Sequence, residues 1–177
     1  MPKIIRDVEE IILEEAKKEL LENGYRDLTI RSLAKRSGIA VGTIYNHFES
    51  KNVIVARAIF IDWAKTLEKM SAHAKASDDI IDVCRDIYDE MEEFIKLYIK
   101  VFDEYNDGLS DYNKNYAIQH GTFITQIAKV INDTLESLGY NETEFMGVFI
   151  AESINNVASH PDYSYDDLEI ILKKIFK

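Results

Sequence analysis

GIAVGTIYNHFESK, residues 38–51, is the stretch on which the fold turns. It holds two glycines four apart, then Thr43, Tyr45 and His47, with no Lys or Arg before Lys51. Three chemistries come to mind: a phosphate loop, a catalytic corner and a short reading helix. A nucleotide P-loop sets four residues between its glycines and a Lys before the Ser or Thr. Gly38 and Gly42 enclose three, Thr43 follows directly, and no hydrophobic strand leads in. For catalysis, Thr43 and His47 share a helical face with Glu49 nearby. A nucleophile needs a base held by a third group in a water-excluded pocket, and a helix of about two turns on a basic surface offers none. His47, His73, His120 and His160 lack the spacing of metal ligands. The expectation is therefore no catalytic residue, no metal and no cofactor.

DNA reading makes complete physical sense of the same residues. A major groove admits one α-helix, carried by the second helix of a helix-turn-helix. Ala40, Gly42 and Thr43 are small enough for a helix start to come close to the duplex. Thr43 and Tyr45 can donate to phosphate, Asn46 can bond a base edge, and His47 can touch the backbone. Ile39, Ile44 and Phe48 would seat the helix against Leu33, Ala34 and the first helix.

The flanks fit this reading. Ile5, Val8, Ile12, Ala16 and Leu20 recur at helical spacing, predicting a helix over 3–23 that Gly24 ends. A short second helix opens at Thr29, with Ile30, Leu33 and Ala34 inward, and stops at Ser37-Gly38. A third spans 41–48, and the three-residue break between them makes a helix-turn-helix. Ser50 caps a long helix over 51–76, and Ser77 caps another that carries a stripe of aromatic residues. Residues 106–110 read as a loop, and a helix over 111–138 has a possible break at Gly121. Asn141 with Glu144 resembles a capping box, and Ser164 caps a last helix. Gly147, Ala151 and Ser153 would allow close approach between helices at a dimer interface.

Charge divides the chain. Residues 23–57 hold six Lys and Arg against two Asp and Glu, while residues 58–177 hold 11 against 23. A basic segment thus sits on an acidic body within a chain of net charge −11. The composition, 46% hydrophobic with seven Gly and two Pro, predicts an all-α fold of long helices. The single Cys84 excludes an intramolecular disulfide and any multi-cysteine metal site, and its place on an apolar stripe marks a buried, inert thiol. The charged start MPKIIRDVEEIILEEAKK is unlike a secretory leader, and no apolar run reaches the ~18 residues of a membrane span. A cytoplasmic protein is expected.

Residues 24–51, GYRDLTIRSLAKRSGIAVGTIYNHFESK, resemble the DNA-binding signature of the TetR family of transcriptional regulators. Gly24, Thr29, Ile30, Leu33, Ala34, Ser37, Gly38, Ile39, Ala40, Gly42, Thr43, Ile44, Tyr45, His47, Phe48, Ser50 and Lys51 fit the family pattern. The resemblance implies a three-helix DNA-binding domain over 1–50 and a helical ligand-binding and dimerisation domain over 51–177. It implies a homodimer paired through two late helices, with ligand tilting the fourth helix to release DNA. DNA contacts would fall on Thr29, Ile30, Arg31, Val41, Gly42, Thr43, Tyr45, Asn46, His47 and Lys51. Val41 and Asn46 stand where the family varies, so base preference is expected there.

The aromatic stripe predicts an apolar cavity among the helices of residues 51–138, suited to a small hydrophobic effector. Its candidate lining is Trp63, Tyr88, Met91, Phe94, Tyr98, Phe102, Tyr105, Tyr116, His120 and Phe123. The combined expectation is a repressor that leaves a palindromic operator when it binds its effector. Two rivals stay open. One is an activator, or a regulator answering a protein partner; the other is a helical lipid or ligand carrier without DNA binding.

Overall fold

A computed structural model of the chain describes residues 7–107, 112–141 and 143–177, without the side chains at 103, 105–107 and 112–120. Eight helices form among the described residues, and no strand. They are α1 (Val8–Asn23), α2 (Ile30–Ser37), α3 (Val41–His47), α4 (Lys51–Ala76), α5 (Ile80–Asp107), α6 (Tyr112–Ser137), α7 (Glu144–Ser159) and α8 (Tyr165–Ile175). No helix among the described residues is long and apolar enough to cross a membrane.

Most helix ends follow the local chemistry. The Asp7 side chain accepts from the Glu9 amide at 3.1 Å, and α1 begins at Val8; residues 3–6 of the expected helix lie outside the described residues. Ser50 accepts from the Val53 amide, and Ser164 from that of Asp166. Four expectations fail. Ser77 does not cap α5: the helix starts at Ile80, and the Asp79 side chain accepts from the Ile81 amide at 2.7 Å. Asn106 and Asp107 belong to α5 and not to a loop, and α6 runs unbroken past Gly121. The capping box at Asn141 does not form: α7 starts after Thr143, without a side-chain cap bond. A single flexible glycine costs a helix only about 1 kcal/mol, which neighbouring turns outweigh.

The chain packs as two compact units, one of residues 1–63 with 97–109, the other of 64–96 with 110–177. In the first, Ile12, Ala16, Leu20, Leu28, Leu33, Ile44 and Phe48 are buried. Each large apolar side chain among them contributes roughly 1.5–3 kcal/mol, enough to hold a seven-residue helix that would not form alone. The last turns of α5 grip the turn after α1. Glu104 accepts from the Arg26 amide at 3.0 Å, and Gly24, at φ +88°, leaves no room for a β-carbon beside that carboxylate.

In the second unit Ile127, Ile131 and Leu135 of α6 and Ile150, Ala151 and Ile154 of α7 are buried. A β-carbon on Gly147 would run into the Asn132 side chain and lie 2.7 Å from the Ala128 carbonyl. Gly147 and Ala151 therefore serve close packing of α7 inside the chain; they do not lie on its outward face. That face carries Phe145, Val148 and Phe149. Cys84 is buried, and loss of water pushes its thiol up to about 12, which makes it inert.

Candidate nucleic-acid interface

The second helix of the head starts with a reciprocal cap. Thr29 Oγ1 accepts from the Ser32 amide at 3.0 Å, and Ser32 Oγ accepts from the Thr29 amide at 2.9 Å. The Thr29 hydroxyl is thus committed locally, although the residue is exposed beside Arg31. Gly38 then turns the chain in the left-handed region, φ +71° and ψ 12°. Nothing lies within 4 Å of a β-carbon there, so backbone conformation, not space, calls for glycine.

Helix α3 follows at once. Ile44 and Phe48, at 0% and 1% exposure, pin it to the head, and Ile39 is half-buried. The opposite face is left to solvent: Val41, Gly42, Tyr45, Asn46 and His47 are exposed, and Thr43 is half-buried. Gly42 has no heavy atom within 4 Å of a would-be β-carbon. The fold itself does not demand a glycine here.

The cations around this face divide into engaged and open. Arg36 is held by Glu22 at 2.8 Å and by Glu15 at 3.6 Å, and those carboxylates raise its pKa. Lys51 donates to the Tyr25 carbonyl at 2.8 Å and sits 3.8 Å above the Tyr25 ring; partial burial lowers its pKa. Arg57 pairs with Glu9 at 2.8 Å, and the same carboxylate meets His47 at 3.4 Å. Arg31 and Lys35 are exposed and form no ion pair among the described residues. An outward face of small, hydroxyl and amide side chains, flanked by open cations, has the chemistry that can meet a polyanion with readable edges.

Residues 12–58 match the family model described as bacterial regulatory proteins, tetR family. The three helices of this head thus carry the sequence pattern of that family's model. Solved structures share the fold of the chain as a whole. The fatty acid degradation regulator FadR from Bacillus halodurans aligns with a TM-score of 0.61 at 16% identity, over 85% of this chain and 82% of that one. A transcriptional regulator from Rhodococcus sp. Rha1 gives 0.62 at 17% identity, over 86% and 82%. A putative transcriptional regulator from Saccharomonospora viridis, in complex with choline, gives 0.54 at 17%, over 94% and 93%. At such identities the likeness is one of fold. No curated protein matches the chain.

The expected effector residues of this TetR-like chain fall into both units. Trp63, Tyr98 and Phe102 belong to the first. There the Tyr98 hydroxyl donates to Asp62 at 2.7 Å, and Asp62 also pairs with Lys17 at 2.5 Å. Tyr88, Met91, Phe94 and Phe123 belong to the second. Phe94 meets Phe123 edge-on at 6.0 Å, and Tyr88 packs on Tyr165 at 4.5 Å. The side chains of Tyr105, Tyr116 and His120 lie outside the described residues. A groove of about 680 Å³ runs beside Asn132, Asp133, Glu136, Tyr140 and Glu144; it is open and acidic, and none of the candidates lines it.

Sequence reasoning missed the residues that tie elements together. Glu9, Asp62 and Glu104 meet partners on other elements, His47, Tyr98 and the Arg26 amide, that lie 36 or more positions away and leave no local signature.

Proposed function

We propose that this TetR-like regulator is a homodimeric repressor that holds a palindromic operator until a small hydrophobic effector binds. Residues 1–50 would read DNA, and residues 51–177 would bind effector and pair the subunits. The observation that carries the DNA side is the exposed face of α3, where Val41, Gly42, Tyr45, Asn46 and His47 stand clear of the core. Phosphate would be met by Thr43, Tyr45, Arg31 and the remaining donors of Lys51; Thr29 and Ile30 would add contacts from the start of α2. Val41 and Asn46 would set base preference.

Dimerisation is supported by apolar side chains that nothing in the described chain covers. Phe145 is 79% exposed, and Phe149, Ile170 and Ile171 are each about half exposed. Isologous pairing of such faces is the commonest way for a chain to bury them. A palindromic operator would require the two recognition helices to lie roughly 34–36 Å apart, one turn of duplex. Of the residues expected to meet an effector, Tyr88, Met91, Phe94 and Phe123 share one unit and are the first to test. That a fold relative was solved in complex with choline supports a small-molecule effector.

The test is fluorescence anisotropy on duplexes drawn from DNA upstream of the protein's own reading frame. Affinity should fall steeply with added salt, since each phosphate contact releases counterions. Binding with no salt dependence, or none at all, would sink the reading.

A further inference from the structure

His47 closes the recognition helix, and one carboxylate from another helix governs how it can be used. Glu9, in the first turn of α1, places Oε1 3.4 Å from His47 Nδ1. Its other oxygen, Oε2, lies 2.8 Å from the Arg57 guanidinium of α4. Arg57 in turn sits 5.1 Å over the ring of Phe48, the buried residue next to His47. Three helices of the head thus converge on one carboxylate.

From this corner we infer that Glu9 is a positioning residue for DNA binding, one that commits His47 Nδ1 and leaves Nε2 as the nitrogen offered to phosphate. The inference rests on the DNA-reading role proposed above for α3. The chemistry is one of donors and acceptors. A carboxylate only accepts, and so does a phosphate oxygen. A histidine that serves both must donate from both nitrogens, which only the imidazolium can do. A neutral His47 facing Glu9 keeps its proton on Nδ1 and turns a bare lone pair on Nε2 toward the phosphate. DNA binding therefore takes up a proton at this site, and affinity falls as pH rises and the imidazolium is lost.

The surrounding charges agree with this geometry. Glu9 from α1 and Arg57 from α4 meet at the corner, so the carboxylate next to the duplex is already countered. α3 carries no other charged side chain, and Glu49 follows it in the loop. From α2, Arg31 and Lys35 are exposed cations, and Arg36 is engaged by Glu22 and Glu15. His47 also ends α3, where the helix dipole favours a cation.

Anisotropy titrations at pH 6, 7 and 8, at constant ionic strength, test this on the full-length protein with duplexes from its own upstream DNA. The wild type should bind more weakly at pH 8 than at pH 6, since each subunit takes up a proton on binding. Glu9→Gln should flatten that profile to less than about twofold, because a glutamine amide can donate to Nδ1 and free the neutral Nε2–H tautomer for phosphate. His47→Asn, which removes the titrating group without touching Glu9 or Arg57, should flatten it too. Melting curves confirm that each variant is folded. Equal pH profiles in wild type and both variants would overturn the inference while leaving DNA reading intact. A wild type that binds no duplex at any of the three pH values would overturn the DNA reading, and this inference with it.

Discussion

Helices α3 and α7 each carry a glycine near their start, and the two glycines do opposite things. Gly147 is buried where α7 lies against α6, and a β-carbon there has no room. Gly42 is exposed, and a β-carbon there would meet nothing in the chain. One glycine is explained by the protein's own packing, and the other is left for something outside it. The exposed faces differ in the same way. Around Gly42 stand Tyr45, Asn46 and His47, side chains that bond to polar edges. Beside Gly147, on the outward side of α7, stand Phe145, Val148 and Phe149, which water solvates poorly. An exposed apolar face of this kind suits contact with protein, and a small polar face flanked by open cations suits contact with nucleic acid.

The strongest way to break this contrast is to charge the apolar face. Phe145→Asp combined with Phe149→Asp should turn a dimer into a monomer in analytical ultracentrifugation. Affinity for a palindromic duplex should drop at least about 100-fold, since two half-sites then bind separately. A double variant that stays dimeric would remove α7 from the interface.

Next comes the packed glycine. Gly147→Ala should lower stability by about 1–3 kcal/mol, as overpacking does, with a matching drop in melting temperature. Unchanged melting would mean that Asn132 swings aside and α7 shifts off the Ala128 carbonyl at no cost.

The open glycine should respond in the reverse sense. Gly42→Ala should leave the melting temperature equal or slightly higher, because alanine favours helix by about 0.5–1 kcal/mol. DNA affinity should fall roughly tenfold, the loss of one good contact. Normal DNA affinity in this variant would show that no close backbone approach happens there.

The smallest effect is that of an open cation. Arg31→Ala should weaken binding uniformly across sequences, and should reduce the slope of log affinity against log salt by about 1. A changed base preference would instead place Arg31 on a base edge.

The head was legible because its signals are local. Thr29 and Ser32 cap one turn, Gly38 supplies a left-handed residue, and Ile44 and Phe48 keep helical spacing. Each of these acts within a few residues, so the linear chain displays it. The resemblance of residues 24–51 then supplied a role for the exposed positions, and the family match over 12–58 agrees with it. Gly147 and Ala151 were harder. Small residues at helical spacing announce a close approach but not the partner, and here the partner is α6 of the same chain. The aromatic stripe was legible as apolar but not as a site, because its period is the same whether a side chain fills a core or lines a cavity.

The sequence by itself determined an all-helical chain, the helix-turn-helix and its polar outward face, since periodicity, caps and turn residues act over one or two turns. Only the tertiary structure decided which cations stay open, which glycine faces outward, and that Glu9 meets both His47 and Arg57. Those pairings join residues far apart in the chain, and a carboxylate leaves no trace in the sequence of the partner that folding brings to it.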